Sequence, residues 1–174
     1  MFGTGREQGF MIRTAIITLS DKGSRGERSD ESGAAIREII ARLNASVSHY
    51  EVLPDERRSI ADTLARLSDS GEVDLILTTG GTGVAPRDVT PEATREVIDR
   101  ELPGMAEAMR AASLLKTPHA MISRAVAGIR GRTLIINLPG SPRAVRENLE
   151  VVLPAVVHAV EKIQGDPSDC GTSS

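Results

Sequence analysis

The richest local pattern in this chain is LTTGGTGVAPRDVTPE, residues 77–92. The apolar run at residues 74–78 predicts a short buried strand that stops at the glycines of this stretch. Those glycines, which allow left-handed backbone and close approach of a ligand to the amides, are Gly80, Gly81 and Gly83. Thr90 is a favoured N-cap residue and Pro91 a favoured first helical residue, so a helix is expected to begin here. Because helix amino termini attract anions, the stretch predicts a phosphate-binding strand, loop and helix.

Two familiar nucleotide-binding motifs do not fit this stretch. The P-loop requires a lysine followed by Ser or Thr, and no lysine lies in residues 77–92. The dinucleotide fingerprint requires a third glycine where Pro86 stands. The simplest alternative is that the glycines only make a tight connection between a strand and a helix. The loop by itself leaves both interpretations open.

The composition favours one domain that acts on small molecules. The chain has 174 residues and a net charge of −3, which argues against the basic surface of nucleic-acid-binding proteins. Its two phenylalanines and one tyrosine offer no platform for stacked bases. The single cysteine, Cys170, excludes an intrachain disulfide and a thiolate zinc site. With no apolar run of membrane length, we expect a cytoplasmic protein without nucleic-acid or membrane partners.

Strand and helix patterns alternate along the first half of the chain. Strands are predicted at Ile12–Leu19, Ala45–Leu53 and 74–78, with helices at about 30–43 and 56–67. This alternation predicts an α/β fold with a mostly parallel sheet and helices on both faces. The expected domain spans residues 11–164, between a flexible arm at 1–10 and a disordered tail at 165–174.

The second half contains another glycine loop in front of a helix. Helices are predicted at 91–102 and 105–115, a short strand within 118–127, and a strong strand at 133–137. The two strands are expected to pair in antiparallel fashion through a turn at 128–132. The loop LPGSP at 138–142 then repeats the pattern, with Ser141 as a helix cap. A second anion-binding helix start is therefore predicted, leading into a helix that Pro154 kinks or breaks.

Two carboxylates follow the ends of predicted parallel strands. Asp55 follows the second strand and Asp88 lies in the first glycine loop, so both are expected at the same edge of the sheet. Magnesium is commonly bound by one or two carboxylates together with substrate phosphates, which makes these residues candidate metal ligands. Asp88 could instead cap its own loop by accepting from the amides of Thr90 or its neighbours, and Asp55 could be a plain helix N-cap.

Several polar residues could support such a site. Arg87 and Arg124 could each bind a phosphate through two hydrogen bonds, although a surface salt bridge is the default for an arginine. Ser20 and Asp21 follow the first strand and could bind a ligand or simply form a turn. The three histidines have no metal-ligand or triad spacing and are interpreted as structural. A serine hydrolase is disfavoured, since no Gly-x-Ser-x-Gly elbow is present.

Taken together, these motifs give the chain a family resemblance over residues 11–163. The matching segments are LSD at 19–21, LPDE at 53–56, TTGGTG at 78–83, RDVTPEAT at 87–94, PGM at 103–105, SR at 123–124 and NLPGSP at 137–142. In this order they resemble the MogA/MoaB family of molybdenum-cofactor biosynthesis proteins. The resemblance implies a three-layer α/β/α sandwich that binds molybdopterin, usually as a homotrimer.

The resemblance also implies a reaction. The MogA branch uses magnesium-ATP to adenylylate molybdopterin and releases pyrophosphate, and a molybdenum-insertion protein is the implied partner for its product. Residues 87–91 favour that branch, whereas the TGGTG loop is shared with MoaB, so a non-catalytic molybdopterin-binding or scaffold module is the alternative.

The resemblance implies site residues as well. Asp55 and Asp88 match the catalytic carboxylates and would hold Mg²⁺. The positions that match the phosphate-, nucleotide- or molybdopterin-binding residues are Ser20, Asp21, Thr79, Gly80, Gly81, Thr82, Gly83, Arg87, Thr90, Pro91, Ser123, Arg124, Pro139, Gly140 and Ser141.

Overall fold

A six-stranded sheet forms the centre of the structure, a computed structural model that describes residues 10–167. Its strands are β1 (Ile12–Leu19), β2 (Ala45–Leu53), β3 (Leu75–Thr79), β4 (Arg100–Glu101), β5 (Ala127–Arg130) and β6 (Thr133–Leu138). They lie in the order β2-β1-β3-β6-β5-β4. The first four of these run parallel, while β5 is antiparallel to both of its neighbours. The predicted mostly parallel sheet is confirmed, including the antiparallel pair β5 and β6.

Helices cover both faces of the sheet. They are α1 (Asp21–Ser24), α2 (Glu31–Ile40), α3 (Arg57–Asp69), α4 (Thr90–Val97), α5 (Pro103–Leu114), a 3-10 helix (Pro118–Ile122) and α6 (Pro142–Ile163). Residues of α2, α5 and α6 pack on one face, and residues of α3 and α4 on the other. Since both faces are covered, β1, β3 and β6 are almost completely buried, which explains their continuous apolar sequences. The three-layer α/β/α sandwich is confirmed.

The core is aliphatic on both sides of the sheet. Ile36 and Leu149 are fully buried against one face, and Ile60 and Leu64 against the other. Each such side chain contributes about 1.5–3 kcal/mol through burial. These two clusters hold the strands in a fixed order, so the loops at the carboxyl ends of the strands have a rigid base.

The structure corrects four expectations about local structure. The helix predicted at 91–102 ends at Val97, because Arg100–Glu101 pairs with β5 as an edge strand. The strand expected within 118–127 starts only at Ala127, and a 3-10 helix capped by Thr117 occupies Pro118–Ile122.

The other two corrections concern helix lengths. The helix predicted at about 30–43 ends at Ile40. Helix α6 runs unbroken from Pro142 to Ile163, with an exposed Pro154 inside it. Of the predicted kink or break, the break is therefore wrong, and the kink stays a prediction.

The predicted arm and tail lie almost entirely outside the described residues. Phe10 and residues 165–167 are described, whereas residues 1–9 and 168–174, with Cys170, are not. The boundaries of the domain at 11–164 therefore stay a prediction. Among residues 10–167, no helix is long and apolar enough to cross a membrane.

Candidate active site

The loops that carry the predicted site residues meet at the carboxyl ends of the parallel strands. Strands β1 and β3 are neighbours, and the helices that follow them, α2 and α4, pack on opposite faces of the sheet. In open α/β sheets, ligands bind in the crevice at such a switch point. The backbone amide of Ser20 donates to the Leu53 carbonyl oxygen at 2.9 Å, and that of Gly80 to the Leu138 carbonyl oxygen at 3.2 Å. The four strand ends are thus fixed to one another.

The first glycine loop, residues 80–89, begins with two glycines that the structure requires. Gly80 and Gly81 have φ values of 99° and 63°. A Cβ on Gly80 would lie 2.4 Å from the Leu19 carbonyl oxygen, and a Cβ on Gly81 would lie 2.4 Å from the Thr90 hydroxyl oxygen. Both the backbone conformation and the space therefore exclude a side chain here.

The end of this loop differs from the prediction. Thr90 is the first residue of α4 and not its N-cap, which is Val89. The Thr90 hydroxyl instead donates to the Gly80 carbonyl oxygen at 2.9 Å, closing the loop from inside. Within the loop, Asp88 Oδ2 accepts a hydrogen bond from the Ala85 amide at 2.8 Å. Asp88 thus caps its own loop, but through the Ala85 amide and not through the amides at or beside Thr90 that the alternative interpretation expected. Its other carboxylate oxygen has no protein donor in the described residues.

Arg124 fixes the same loop from outside. Its guanidinium donates to the Gly83 and Asp88 carbonyl oxygens at 2.6 Å each, and to the Glu92 carboxylate. Partial burial is the largest single influence on Glu92 and raises its pKa. The hydrogen bond from Arg124, a backbone hydrogen bond and the charges of Arg124 and Arg95 together outweigh burial, so the pKa of Glu92 lies below its usual range. The donors of Arg124 are therefore used within the protein, where they shape the loop that would receive a phosphate.

The second glycine loop, residues 138–141, matches its prediction. Ser141 is the N-cap of α6, its hydroxyl oxygen accepts from the Ala144 amide at 3.2 Å, and proline occupies the first turn. The Thr79 hydroxyl donates to the Pro139 carbonyl oxygen at 2.7 Å. A Cβ on Gly140 would lie 3.4 Å from the Gly80 Cα atom, so the two glycine loops touch each other.

Asp55, Asp21 and Arg87 form a charged network beside the first loop. The backbone amides of Asp21 and Asp55 each donate to the other residue's carboxylate at 3.0 Å. Arg87 donates to both carboxylate oxygens of Asp21, at 2.7 and 3.0 Å, and holds the pKa of Asp21 below its usual range. Burial raises the pKa of Asp55, and the charges of Asp21 and Asp88 act in the same direction. Asp55 is thus a carboxylate whose ionised form would gain from a bound cation.

Two cavities open on either side of the glycine loops. The first has a volume of about 380 Å³ and includes Ser20, Asp30 and Asp55 in its lining. The second, of about 440 Å³, lies between the first loop, α5, the 3-10 helix and the start of α6. Both volumes are typical of small-molecule sites. The residues that line both cavities are Gly81, Asp88, Gly140 and Ser141.

Most predicted site residues line one or both of these cavities. Those on the first are Ser20, Asp55, Gly80, Gly81, Asp88, Gly140 and Ser141. Those on the second are Gly81, Thr82, Gly83, Asp88, Ser123, Pro139, Gly140 and Ser141. Six predicted residues line neither and support the loops from behind or beside them: Asp21, Thr79, Arg87, Thr90, Pro91 and Arg124. A ligand-binding role for any of them stays a prediction.

The first cavity also contains residues that the sequence interpretation missed as site residues. The sequence predicts only a helix cap at Asp30 or Ser29, and the structure shows that Asp30 is the N-cap of α2. Its carboxylate also accepts from the hydroxyls of Thr18 and Tyr50, both at 2.6 Å, while Ser32 donates to the Gly140 carbonyl oxygen at 2.7 Å. Partial burial and the bond to Asp30 raise the pKa of Tyr50 to about 12. The amino end of α2 is therefore joined to the second glycine loop.

The second cavity includes Arg110, Ser113, His119 and Asn148, which were also missed. The Ser113 hydroxyl donates to Asn148 Oδ1 at 3.3 Å. One signal was available in the sequence: Asn148 lies seven residues after Ser141, two turns along the same side of a helix. His119, interpreted as structural, is an exposed residue of this cavity.

The described residues contain no group of three or more His, Cys, Asp or Glu side chains able to hold a metal alone. This fits a magnesium ion that takes one or two protein carboxylates and completes its shell with phosphate and water. Asp55 Oδ1 and Asp88 Oδ1 both lack a protein hydrogen-bond donor in residues 10–167. The donor set therefore suits magnesium that arrives with a nucleotide.

Comparisons with known proteins agree on one family. The family model of the probable molybdopterin binding domain matches residues 15–158. The molybdopterin adenylyltransferase of Helicobacter pylori strain J99 is 46% identical over 157 residues, which cover 89% of each chain. That of Escherichia coli K12 is 43% identical over 155 residues, covering 86% of this chain and 80% of the relative. The crystal structure of the molybdopterin biosynthesis enzyme MoaB from Thermus thermophilus superposes with a TM-score of 0.85 at 56% identity, covering 91% of this chain and 100% of that one.

Proposed function

Because this chain belongs to the family of probable molybdopterin-binding domains, we propose that it is a nucleotidyltransferase of molybdenum cofactor biosynthesis, a molybdopterin adenylyltransferase. It takes ATP and molybdopterin as substrates and forms adenylyl-molybdopterin and pyrophosphate. Relatives that carry this name are 43–46% identical over most of their length. The structural observation that carries the proposal is the pair of cavities that share Gly81, Asp88, Gly140 and Ser141. A reaction between two phosphate-bearing substrates needs two adjoining sites that meet at the reacting groups.

The reaction joins two phosphates without a covalent protein intermediate. An oxygen of the terminal phosphate of molybdopterin forms a bond to the α-phosphorus of ATP, and the bond from that phosphorus to the bridging oxygen of the β-phosphate breaks. Pyrophosphate takes the electron pair and leaves. Transfer of this kind depends chiefly on positioning and charge stabilisation. The protein thus needs rigid loops with donor groups more than it needs a nucleophile.

The residues that line both cavities lie in rigid loops and provide hydrogen-bond donors for phosphate. The glycine at position 81 brings backbone close to both cavities, and Ser141 places the amino end of α6 beside them. The positive end of that helix favours the negative charge that gathers in the reaction. Asp55 and Asp88 would hold a magnesium ion, which neutralises phosphate charge when it is bound. Burial raises the pKa of Asp55, so coordination would also favour its ionised form.

The direct test is pyrophosphate release from ATP in the presence of molybdopterin and magnesium. We expect release by the wild-type protein, and a decrease of about 10²-fold or more for Asp88→Asn with nearly unchanged affinity for molybdopterin. An amide at this position still accepts the hydrogen bond from Ala85, so the loop should keep its shape. Asp62→Asn is the matched control, since Asp62 is exposed on α3 and its salt bridge to Arg58 is long, at 3.8 Å. Absence of release by a wild-type protein that binds molybdopterin would refute the proposed activity.

A second candidate is a non-catalytic molybdopterin-binding module of the MoaB type. The observation in its favour concerns the branch alone: the Thermus thermophilus MoaB structure, itself named a molybdopterin biosynthesis enzyme, is 56% identical to this chain, above the 43–46% of the adenylyltransferases. Calorimetry separates the two candidates. Binding of molybdopterin without any binding of magnesium-ATP favours the module, and binding of both favours the enzyme.

We extend the proposal to assembly and location. Leu115, Met121 and Ile122 are exposed apolar side chains close to one another along the chain, at the end of α5 and in the 3-10 helix. Large exposed apolar residues grouped in this way suit a subunit interface, which supports the expected homotrimer. Light scattering that gives three chains per particle would agree with it. The proposal also includes that the protein is cytoplasmic and that it passes its product to a molybdenum-insertion protein.

A further inference from the structure

Arg110 on α5 distinguishes the second cavity from its surroundings. It is half-buried, and among the described residues it is the only arginine or lysine that lines this cavity. None of the segments that carry the family resemblance includes Arg110. The other polar side chains nearby, Ser113 and Asn148, are uncharged.

The guanidinium of Arg110 is held in place but has no counter-ion. Its Nη1 donates to the carbonyl oxygens of Ala125 at 3.1 Å and Ser123 at 3.5 Å. The Nε and Nη2 groups have no hydrogen-bond acceptor within residues 10–167, and no carboxylate of that segment forms a salt bridge with Arg110. By contrast, Arg124, Arg13 and Arg130, which are also partly buried, each pair with a carboxylate.

The carboxylates of the same cavity do not compensate this charge. Glu147 forms salt bridges with Lys116 at 3.3 Å and with Arg143 at 3.0 Å. Asp88 uses one oxygen to cap its loop. Arg110 is half-buried, and its unpaired Nε and Nη2 groups keep some exposure to solvent, so water solvates them in the free protein. An anionic ligand in the cavity would replace this water and supply the missing negative charge.

We propose that Arg110 binds a phosphate group of a substrate in the second cavity. The proposal rests on the proposed function, since it assigns one of the two reacting phosphates a partner. The carbonyl oxygens of Ala125 and Ser123 bind Nη1 of the guanidinium, which leaves its Nε and Nη2 groups available to a ligand. A planar guanidinium with two free donors suits bidentate binding of phosphate. The phosphate comes either from molybdopterin or from ATP, and the two sources are separated by experiment.

The test measures the affinities for ATP and for molybdopterin separately by calorimetry. Arg110→Met is expected to weaken one of the two by about tenfold to a hundredfold, the value of one or two hydrogen bonds to a charged group. The substrate whose affinity falls is the source of the phosphate. The matched control is Arg146→Met, because Arg146 pairs with Glu38 on the surface and lines neither cavity. Unchanged affinity for both substrates would overturn the proposal.

Two further measurements separate ligand binding from a structural role of the bonds to Ala125. Arg110→Lys keeps the charge but loses the planar fork, so it should recover part of the lost affinity. The affinity of the wild type for the affected substrate should also fall more steeply with salt than that of Arg110→Met. Equal salt dependence would speak against a direct contact. If the wild type binds this substrate through Arg110 yet releases no pyrophosphate, the proposed activity fails while the phosphate site stands.

Discussion

The two glycine loops at the sheet edge have similar sequences but are held in different ways. The loop at 138–141 is short, and Ser141 caps the helix that follows through a local hydrogen bond. The loop at 80–89 is longer, and its helix cap, Val89, has no side-chain hydrogen bond. Its shape depends on the Thr90 hydroxyl inside and on Arg124, which lies 36 residues from Asp88 along the chain.

This difference shows which part of a binding loop a local sequence can specify. The short loop specifies the start of its own helix, since Ser141 caps an amide only three positions away. Its carbonyl oxygens also accept distant hydrogen bonds, from the hydroxyls of Thr79 and Ser32. A longer loop needs partners from elsewhere to satisfy its backbone groups. Both loops border both cavities, so the distant anchors of the longer loop bear on function as well as on stability.

Replacing glycine with alanine should therefore lower the free energy of unfolding much more in the first loop than in the second. Gly80→Ala is expected to destabilise the protein by about 3 kcal/mol or more, through left-handed backbone and overpacking. The clash is with the fixed Leu19 carbonyl oxygen, 2.4 Å from the new Cβ. Gly140→Ala meets the Gly80 Cα atom at 3.4 Å, an ordinary contact, and its backbone is not left-handed. Chemical denaturation of both variants checks the difference, and equal losses would mean that the loops are equally constrained.

Removal of Arg124 should come next in size. Arg124→Met breaks the bonds to Gly83, Asp88 and Glu92, and we expect a loss of about 2–3 kcal/mol in the free energy of unfolding together with a loss of turnover. Arg130→Met is the matched control, since Arg130 binds both oxygens of Asp69 and the Val97 carbonyl at the opposite edge of the sheet.

The control variant should lose stability but keep turnover, because Arg130 lines neither cavity. Pyrophosphate release per folded molecule separates the two effects. If Arg124→Met keeps normal turnover, its anchoring of the first loop does not matter for the reaction.

The parts of the fold that were predicted correctly are those with local or periodic signals. Strands β1 and β2 have the predicted bounds, because apolar residues and turn residues mark both ends. The helix predicted at 91–102 is too long for a reason that lies elsewhere in the chain. Its last residues form a strand only because Arg100 and Glu101 find Ile129 and Gly128 as partners. A pairing across almost thirty residues leaves no trace in the local pattern.

The candidate site divides in the same manner. Asp55 and Asp88 could be placed together in advance, because both follow strands that end at one edge of a parallel sheet. Arg110 and Asn148 could not, since they lie inside helices whose orientation depends on how α5 and α6 pack together. The sequence pattern therefore predicts the site residues at the strand ends better than those that the helices contribute.

The hydroxyl groups of the two loops provide a finer comparison. Thr90→Val should cost about 1–2 kcal/mol, because it leaves the buried Gly80 carbonyl oxygen without this donor. Ser141→Ala should cost about 1 kcal/mol, the usual value of an N-cap. Replacement by a residue that keeps the relevant group gives the controls: Thr90→Ser retains the hydroxyl, and Ser141→Asp can still cap the helix. Denaturation curves decide the order, and a larger loss for Ser141→Ala would reverse the assignment of the stronger anchor.

The smallest expected change in stability concerns Asp55, whose Oδ1 would lie 3.2 Å from a Cβ on Gly81 of the first loop. Burial raises the pKa of Asp55 above its ordinary value of 3.8. The folded protein therefore binds more protons than the unfolded chain in the pH window above 3.8, so stability falls as the pH rises through that window.

Asp55→Asn cannot ionise, and its amide oxygen can still accept from the Asp21 amide. We expect this variant to be more stable than the wild type at pH 8, with a smaller gain at pH 4, and to lose turnover. Denaturation at both pH values checks this, with Asp62→Asn as the exposed control. A gain that does not depend on pH would show that the carboxylate is not destabilised by its place beside the loop.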